Sequence, residues 1–262
     1  MTPWTEAELD AWKGTARLAV RGAGRLQQQS LGKAKVERKG EADITTDVDR
    51  RSEQFVVELL REHHPAHEIL GEEGTVGNRA ASHLWIVDPL DGTKNYSHGY
   101  RRWCVSLALA VNQEVVLGAV YAAHSDELFT AEMNHGALLN GAPIRVSTTD
   151  ALDRAMVGSA LAYSGRVADP QQLQRLGRVL EAVEAVRSDG CAALDLCDVA
   201  CGRFDAYFER GLHAWDTAAG ALIVTEAGGR VTSSRGTHHD LYGFDTVASN
   251  GRIHAALLSL VA

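Results

Sequence analysis

The densest concentration of chemistry in the chain lies over residues 85–100, WIVDPLDGTKNYSHGY. An apolar run, residues 84–87, leads straight into Asp88, Pro89, Leu90 and Asp91, followed by Gly92 and Thr93. A strand ending there sets both carboxylates at a sheet edge, where Pro89 restrains the chain and removes a ladder donor. Gly92 permits close backbone approach to a ligand. Thr93 is placed to lead a helical turn whose free N–H groups suit a phosphate. Two more acidic positions share this setting. Glu72, within Gly71-Glu72-Glu73-Gly74, is the first acid beyond the apolar segment 68–70, and Asp216 opens the Ala-rich segment WDTAAGALIVTEAGG. Each has an ordinary alternative: an acidic turn for Asp-Pro-x-Asp-Gly, a surface loop for GEEG, and a helix N-cap for Asp216.

The elements that must position these groups can be read from periodicity. Thr5 and Glu8 form a capping box for a helix to about residue 28, with Leu9, Trp12, Ala16, Ala19 and Val20 on one face. A basic, Gly-containing loop over 31–40 precedes a second helix over 49–62, apolar at Phe55, Val56, Leu59 and Leu60. Strands follow at 67–70 and 84–87. Segments 105–111, 115–121 and 128–132 read as an antiparallel meander, with Asn140-Gly141 as a hairpin turn. Beyond Pro143 the pattern becomes strand 155–158, helix 170–185, helix 192–201, strand 205–208, helix 217–227 stopped at Gly228-Gly229, strand 246–249 and helix 252–260. The reading is α+β, then α/β: residues 1–146 carry the antiparallel sheet, and residues 147–262 form a second unit, with the boundary near 144–151.

Composition narrows the function classes. At 262 residues and 45% hydrophobic the chain is long and apolar enough for a full core. A net charge of −8 disfavours a nucleic-acid surface, while a small phosphorylated substrate stays open because a metal ion supplies local positive charge. The first ten residues hold no apolar run, and no segment is long enough for a membrane span, so the expectation is a cytoplasmic protein. Cys104, Cys191, Cys197 and Cys201 show no Cys-x-x-Cys spacing. A zinc set of Cys191, Cys197 and Cys201 with a histidine is conceivable, but buried reduced thiols are the better reading. His63, His64, His67, His238 and His239 read as solvated loop residues.

GEEG at 71–74, WIVDPLDGTKNY at 85–96 and WDTAAGALIVTEAGG at 215–229 together resemble the three signature blocks of the inositol monophosphatase family, in the same order. A weaker block, from Asp43 through Thr45, Thr46 and Asp47 to Asp49, with Glu53, resembles the family's threonine-rich segment. The resemblance covers the chain from about Ala7 onward. It implies a layered αβαβα sandwich and a magnesium-dependent, lithium-sensitive phosphatase that assembles as a homodimer.

Carried over position by position, the resemblance gives Glu72, Asp88 and the Leu90 carbonyl, aided by Thr93, to one Mg2+. Asp88, Asp91 and Asp216 would hold a second, and a weaker third would lie near Glu72. Asp49 would pair with Thr93 to orient and deprotonate the attacking water, and the Gly92 and Thr93 N–H groups would face the phosphate. These donors are oxygens alone, which selects Mg2+ or Mn2+ over zinc. Two carboxylates ~4 Å apart repel by roughly 4 kcal/mol at an effective dielectric of 20, so a fold that gathers four such groups does so for cations.

On the substrate side the resemblance matches Glu209 to a hydroxyl contact and Gly190 and Ala192 to a backbone-contact loop, with Asp91 and Asp216 beside them. The substrate would be a small phosphorylated polyol, with inositol 1-phosphate foremost. Lys94 stands where inositol phosphatases often carry Thr, and Asp189 adds charge that suits an amino alcohol phosphate. Histidinol phosphate, sugar phosphates and 3′-phosphonucleotides are therefore the alternatives. A different class of role, a regulatory binding protein of the transcription machinery on the same fold, is also implied by the resemblance.

Overall fold

The computed structural model describes residues 4–39, 44–160, 163–164, 167–168 and 170–262; Asp43 lies outside them. Thr5 starts α1 (Glu6–Ser30) with the expected reciprocal pair: Glu8 N–H donates to the Thr5 hydroxyl at 3.2 Å, and Thr5 N–H donates to the Glu8 carboxylate at 2.8 Å. The loop expected over 31–40 contains a strand, β1 (Val36–Arg38), paired antiparallel with β2 (Ile44–Thr46). All of β1 is exposed, so no alternation announces it. Thr46 then caps α2 (Asp47–His63), sharing a second capping box with Asp49.

A seven-stranded sheet follows in chain order: β3 (Glu68–Gly71), β4 (His83–Asp91), β5 (Cys104–Val111), β6 (Glu114–Ala122), β7 (Glu127–Glu132), β8 (Gly136–Leu139) and β9 (Ala142–Pro143). Short α3 (Thr93–Ser97) interrupts it between β4 and β5. The pair β3–β4 is parallel; the remaining neighbours are antiparallel. Asn140 and Gly141 make the β8–β9 turn with φ of 50° and 83°, as the Asn-Gly signal requires.

The rest of the chain adds β10 (Met156–Ser159), the β11 (Tyr163–Ser164) and β12 (Val167–Ala168) pair, α4 (Pro170–Ala182), β13 (Ala185–Arg187), α5 (Ala192–Ala200), β14 (Ala206–Arg210), α6 (Ala214–Glu226), β15 (Arg230–Thr232), β16 (Asp245–Ser249) and α7 (His254–Val261). Five of these strands form a mixed sheet ordered β13-β10-β14-β16-β15. Helix α4 ends earlier than expected and gives way to edge strand β13, whose three residues follow an apolar helical stripe too closely to be told from it.

Alternation along the strands stacks the layers. Trp85 and Val87 of β4 pack with Trp12, Ala16, Val56 and Leu60 of α1 and α2, while Leu84 and Ile86 face α5 and α6 through Leu196, Val199, Ala219 and Ile223. In β14, Tyr207 joins that same inner core, whereas Ala206 and Phe208 meet Val179 and Leu257 from α4 and α7. The result is α1/α2, seven strands, α5/α6, five strands, α4/α7: the αβαβα sandwich. The inner helices share one continuous apolar cluster with both sheets. Gly118 allows the tight seat of α6 on the first sheet, for a Cβ there would lie 2.9 Å from the Ala219 carbonyl oxygen.

His64 and His67, just past α2, are not solvated loop residues, whereas His63 is exposed. His67 accepts the Trp85 indole N–H at 3.1 Å and stacks between His64 and His83, with ring centroids 5.0 and 4.5 Å away. The aromatic floor of Trp12 and Trp85 draws them in, which a His-rich polar sequence does not reveal.

Candidate active site

Four segments supply the candidate residues. On β4, Asp88 pairs with Ser106 and Asp91 with Cys104, so β4 carries one extra residue in this stretch. Such a bulge re-aims side chains at a sheet end. The local conformation is held from inside: Leu90 N–H donates to Asp88 Oδ1 at 3.0 Å, and Gln27 of α1 donates to the Pro89 carbonyl at 2.7 Å. Gly92 then turns the chain with φ of 90°, and a Cβ there would meet the Arg102 carbonyl oxygen at 2.6 Å, so only glycine serves.

Thr93 is the hinge between the turn and α2. Its hydroxyl lies 2.8 Å from Asp49 Oδ1 and 3.0 Å from the Leu90 carbonyl oxygen. Asp49 Oδ2 receives the Thr46 N–H at 2.9 Å and the Thr46 hydroxyl. Burial raises the Asp49 pKa despite the opposing hydrogen bonds from Thr46 and Thr93.

Glu72 stands just past β3, and its charge and that of Asp88 act on each other. Burial first, then the Asp216 charge, pushes Glu72 up to about 8. Burial and the charges of Glu72, Asp91 and Asp216 hold Asp88 well above the usual carboxylate range. Lys39 approaches Glu72 at 3.9 Å but pairs more closely with Glu73. Asp216 sits in the first turn of α6, not at its cap: Oδ2 accepts the His213 N–H at 2.6 Å.

Asp91 faces the other way as well. Its Oδ2 accepts the Ala193 N–H at 2.7 Å and lies 3.2 Å from Cys191 Sγ. Glu209, on β14, takes the Tyr207 hydroxyl at 2.5 Å; burial, then Asp195, Asp216 and Asp91, push it up to about 8. The structure thus brings Asp49 to Thr93 and the start of α5 to Asp91, while Glu72, Asp88, Asp216 and Glu209 act on one another through charge.

Two residues with a part in this arrangement carry no local signal in the sequence. Asn95, on α3, donates its amide to the carbonyls of Asp189 (2.7 Å), Gly190 (3.2 Å) and Arg102 (2.8 Å), tying the turn after β4 to the loop before α5. Arg102 binds Asp195 and, at 2.7 Å, Asp198, bracing α5 from the same side. Asn95 lies inside the motif of residues 85–96, but its reach becomes visible only when the two halves fold together.

The inositol monophosphatase family pattern matches residues 5–262. The chain belongs to the inositol monophosphatase family. The inositol-1-monophosphatase of Synechocystis sp. is 38% identical, over 99% of this chain and 91% of its own length. The putative Nus factor SuhB of Neisseria meningitidis serogroup B is also 38% identical, over 100% and 99%. The solved structure of the extragenic suppressor protein SuhB from Bartonella henselae superposes with a TM-score of 0.90 at 34% identity, covering 96% of this chain and 98% of that one. The inositol monophosphatase fold therefore accounts for all five layers. Among the described residues no helix is long and apolar enough to cross a membrane.

Proposed function

We propose that the chain is a magnesium-dependent phosphatase of small phosphate monoesters, acting on inositol 1-phosphate before other substrates. The convergence of charge among Glu72, Asp88, Asp91 and Asp216 carries this reading. Asp88 is fully buried and Glu72 partly so, and each lies in the other's field, an arrangement that a proton or a cation relieves; Asp91 and Asp216 add their charge. The donors are hard oxygens, so the set fits Mg2+, with Mn2+ as a substitute. Glu72, Asp88, the Leu90 carbonyl, Asp91 and Asp216 would hold two ions, and a third would lie on the Glu72 side.

When bound, the ions supply positive charge that acidifies water and neutralises the phosphoryl and leaving oxygens. The chain's own part lies in Asp49 and Thr93. With its proton directed at Asp49 Oδ1, the Thr93 oxygen is left to accept a hydrogen bond from the attacking water. That water gives a proton to Thr93 Oγ1 while the threonine proton passes to Asp49 Oδ1, a carboxylate made receptive by burial. The water oxygen bonds to phosphorus, the ester oxygen departs, and solvent protonates it. Backbone N–H groups at Gly92 and Thr93 orient the phosphate. Glu209 and the 190–192 loop receive the hydroxyls of the polyol.

A second reading draws on the relatives named Nus factor SuhB, one of which aligns over the entire chain: a binding role beside catalysis. Phosphate release from inositol 1-phosphate, histidinol phosphate, fructose 1,6-bisphosphate and 3′-phosphoadenosine 5′-phosphate, with and without Mg2+, tests the first. Magnesium-dependent release that disappears in Asp88→Asn supports it; no release from any substrate would leave the binding role standing.

A further inference from the structure

Cys104 and Cys191 meet behind the carboxylate cluster. Their sulfurs lie 3.7 Å apart, and Cys191 Sγ is 3.2 Å from Asp91 Oδ2. Among the described residues, these three side chains form the group whose ligating atoms all fall within 4.8 Å of one another. Both cysteines are buried and reduced. The sulfur separation is far beyond the ~2.05 Å of a disulfide. It matches a different geometry: bonds of about 2.3 Å at a tetrahedral angle put two zinc-bound sulfurs about 3.8 Å apart. We infer that Asp91, Cys104 and Cys191 form a three-donor site for a thiophilic divalent cation such as Zn2+ or Cd2+, with water as fourth ligand, and that its occupation shuts the phosphatase off.

The site is preorganised by the fold. Cys104 starts β5 opposite Asp91 in the sheet register, and Cys191 stands immediately before α5, where Ala193 N–H already fixes the Asp91 carboxylate. None of the donors needs a change of backbone to converge. Thiolates select zinc and cadmium, while Mg2+ prefers oxygen and water, so the two kinds of ion part company at Asp91. Binding forms two metal–sulfur bonds and one metal–oxygen bond and releases both thiol protons to solvent. One divalent ion against two thiolates and a carboxylate leaves a unit of negative charge, and Asp91 keeps the Ala193 N–H at 2.7 Å as a donor. This site differs from the zinc set of Cys191, Cys197 and Cys201 that the sequence disfavoured: its two cysteines lie 87 residues apart in the chain.

Inhibition rests on Asp91 serving Mg2+, as proposed above; the thiophilic site itself does not. An ion drawn to the sulfurs takes Asp91 Oδ2 with it, so excess Mg2+ weakens the inhibition. The decisive probe is Co2+ added to the full-length, reduced protein, read by absorption. Sulfur-to-cobalt charge-transfer bands that saturate at one ion per chain, vanish on adding Zn2+, and are absent in both Cys104→Ser and Cys191→Ser are expected. Weak ligand-field bands without charge transfer in the unaltered protein would overturn the proposal, as would charge transfer surviving both substitutions. In phosphate-release assays, Cys104→Ser should tolerate about tenfold more Zn2+ or greater. If no substrate is turned over while the cobalt bands appear, the phosphatase reading fails and the metal site stands.

Discussion

Thr93 donates to Asp49 Oδ1 at 2.8 Å, joining the turn after β4 to the first turn of α2. Thr46 holds the other carboxylate oxygen, so Asp49 has a single orientation and serves both in the helix's capping box and as a partner of Thr93. Thr46 is the N-cap and Asp49 its N3 partner, so an Asn there can still accept the Thr46 N–H through its one oxygen and turn its NH2 toward the Thr93 hydroxyl. Asp49→Asn should therefore keep its melting temperature while kcat falls by about 100-fold or more. Thr93→Val should lose a similar factor. An Asp49→Asn enzyme with near-normal kcat would remove the proton relay.

Metal binding and pH should be linked through Glu72. Its pKa rises from 4.5 to about 8 in the fold. Between those values the folded chain binds more protons than the unfolded one, so stability in chelator falls as pH rises through this window. Thermal melts with and without Mg2+ check this: the ion should raise Tm most at the alkaline end. Asp88→Asn should raise Tm in chelator, by roughly 2–4 °C for each kcal/mol of relieved repulsion, and abolish the Mg2+ response.

Asn95→Ala should raise KM by about three- to tenfold with a smaller change in kcat, because it frees the loop before α5 without touching the Asp49–Thr93 pair. Steady-state kinetics separate the two parameters. A fall in kcat alone would place Asn95 in the chemistry instead.

His67 gives a second pH dependence of opposite sign. Burial, with His83 and His64 adding to it and Glu8 opposing, lowers its pKa from 6.5 to about 4. The unfolded chain binds the extra proton in that interval, so stability is complete above 6.5 and declines as pH falls toward 4. His67→Leu should lose about 1–3 kcal/mol at neutral pH by orphaning the Trp85 indole N–H, and should show a flatter acid limb.

What could be read from the sequence follows the range of the interactions. Helices α1 and α2, the Thr5 cap and the Asn140-Gly141 turn depend on neighbours three or four residues away, and they are where periodicity puts them, though α2 begins two residues earlier, at the Thr46 cap. Strand β13 and exposed β1 are defined by partners elsewhere, so their own residues say little. In the site, Asp88 and Asp91 stand out because strand, proline and glycine surround them. Asn95, Arg102 and the Cys104–Cys191 pair owe their surroundings to the docking of α5 against the end of β5, which no local pattern encodes.

Asp216 enters the cluster from α6, in the last quarter of the chain, while Glu72, Asp88 and Asp91 are in place on the first sheet. A ribosome makes the sheet long before the helix that covers it. Until α6 joins α5, the inner face of that sheet lacks part of its cover and the acids of β4 are more open to water, where their charges are cheap to keep. The electrostatic cost of assembly therefore falls late in synthesis, at the moment when the proposed Mg2+ would relieve it, and a chain truncated before Asp216 should be a client for chaperones rather than a weak enzyme.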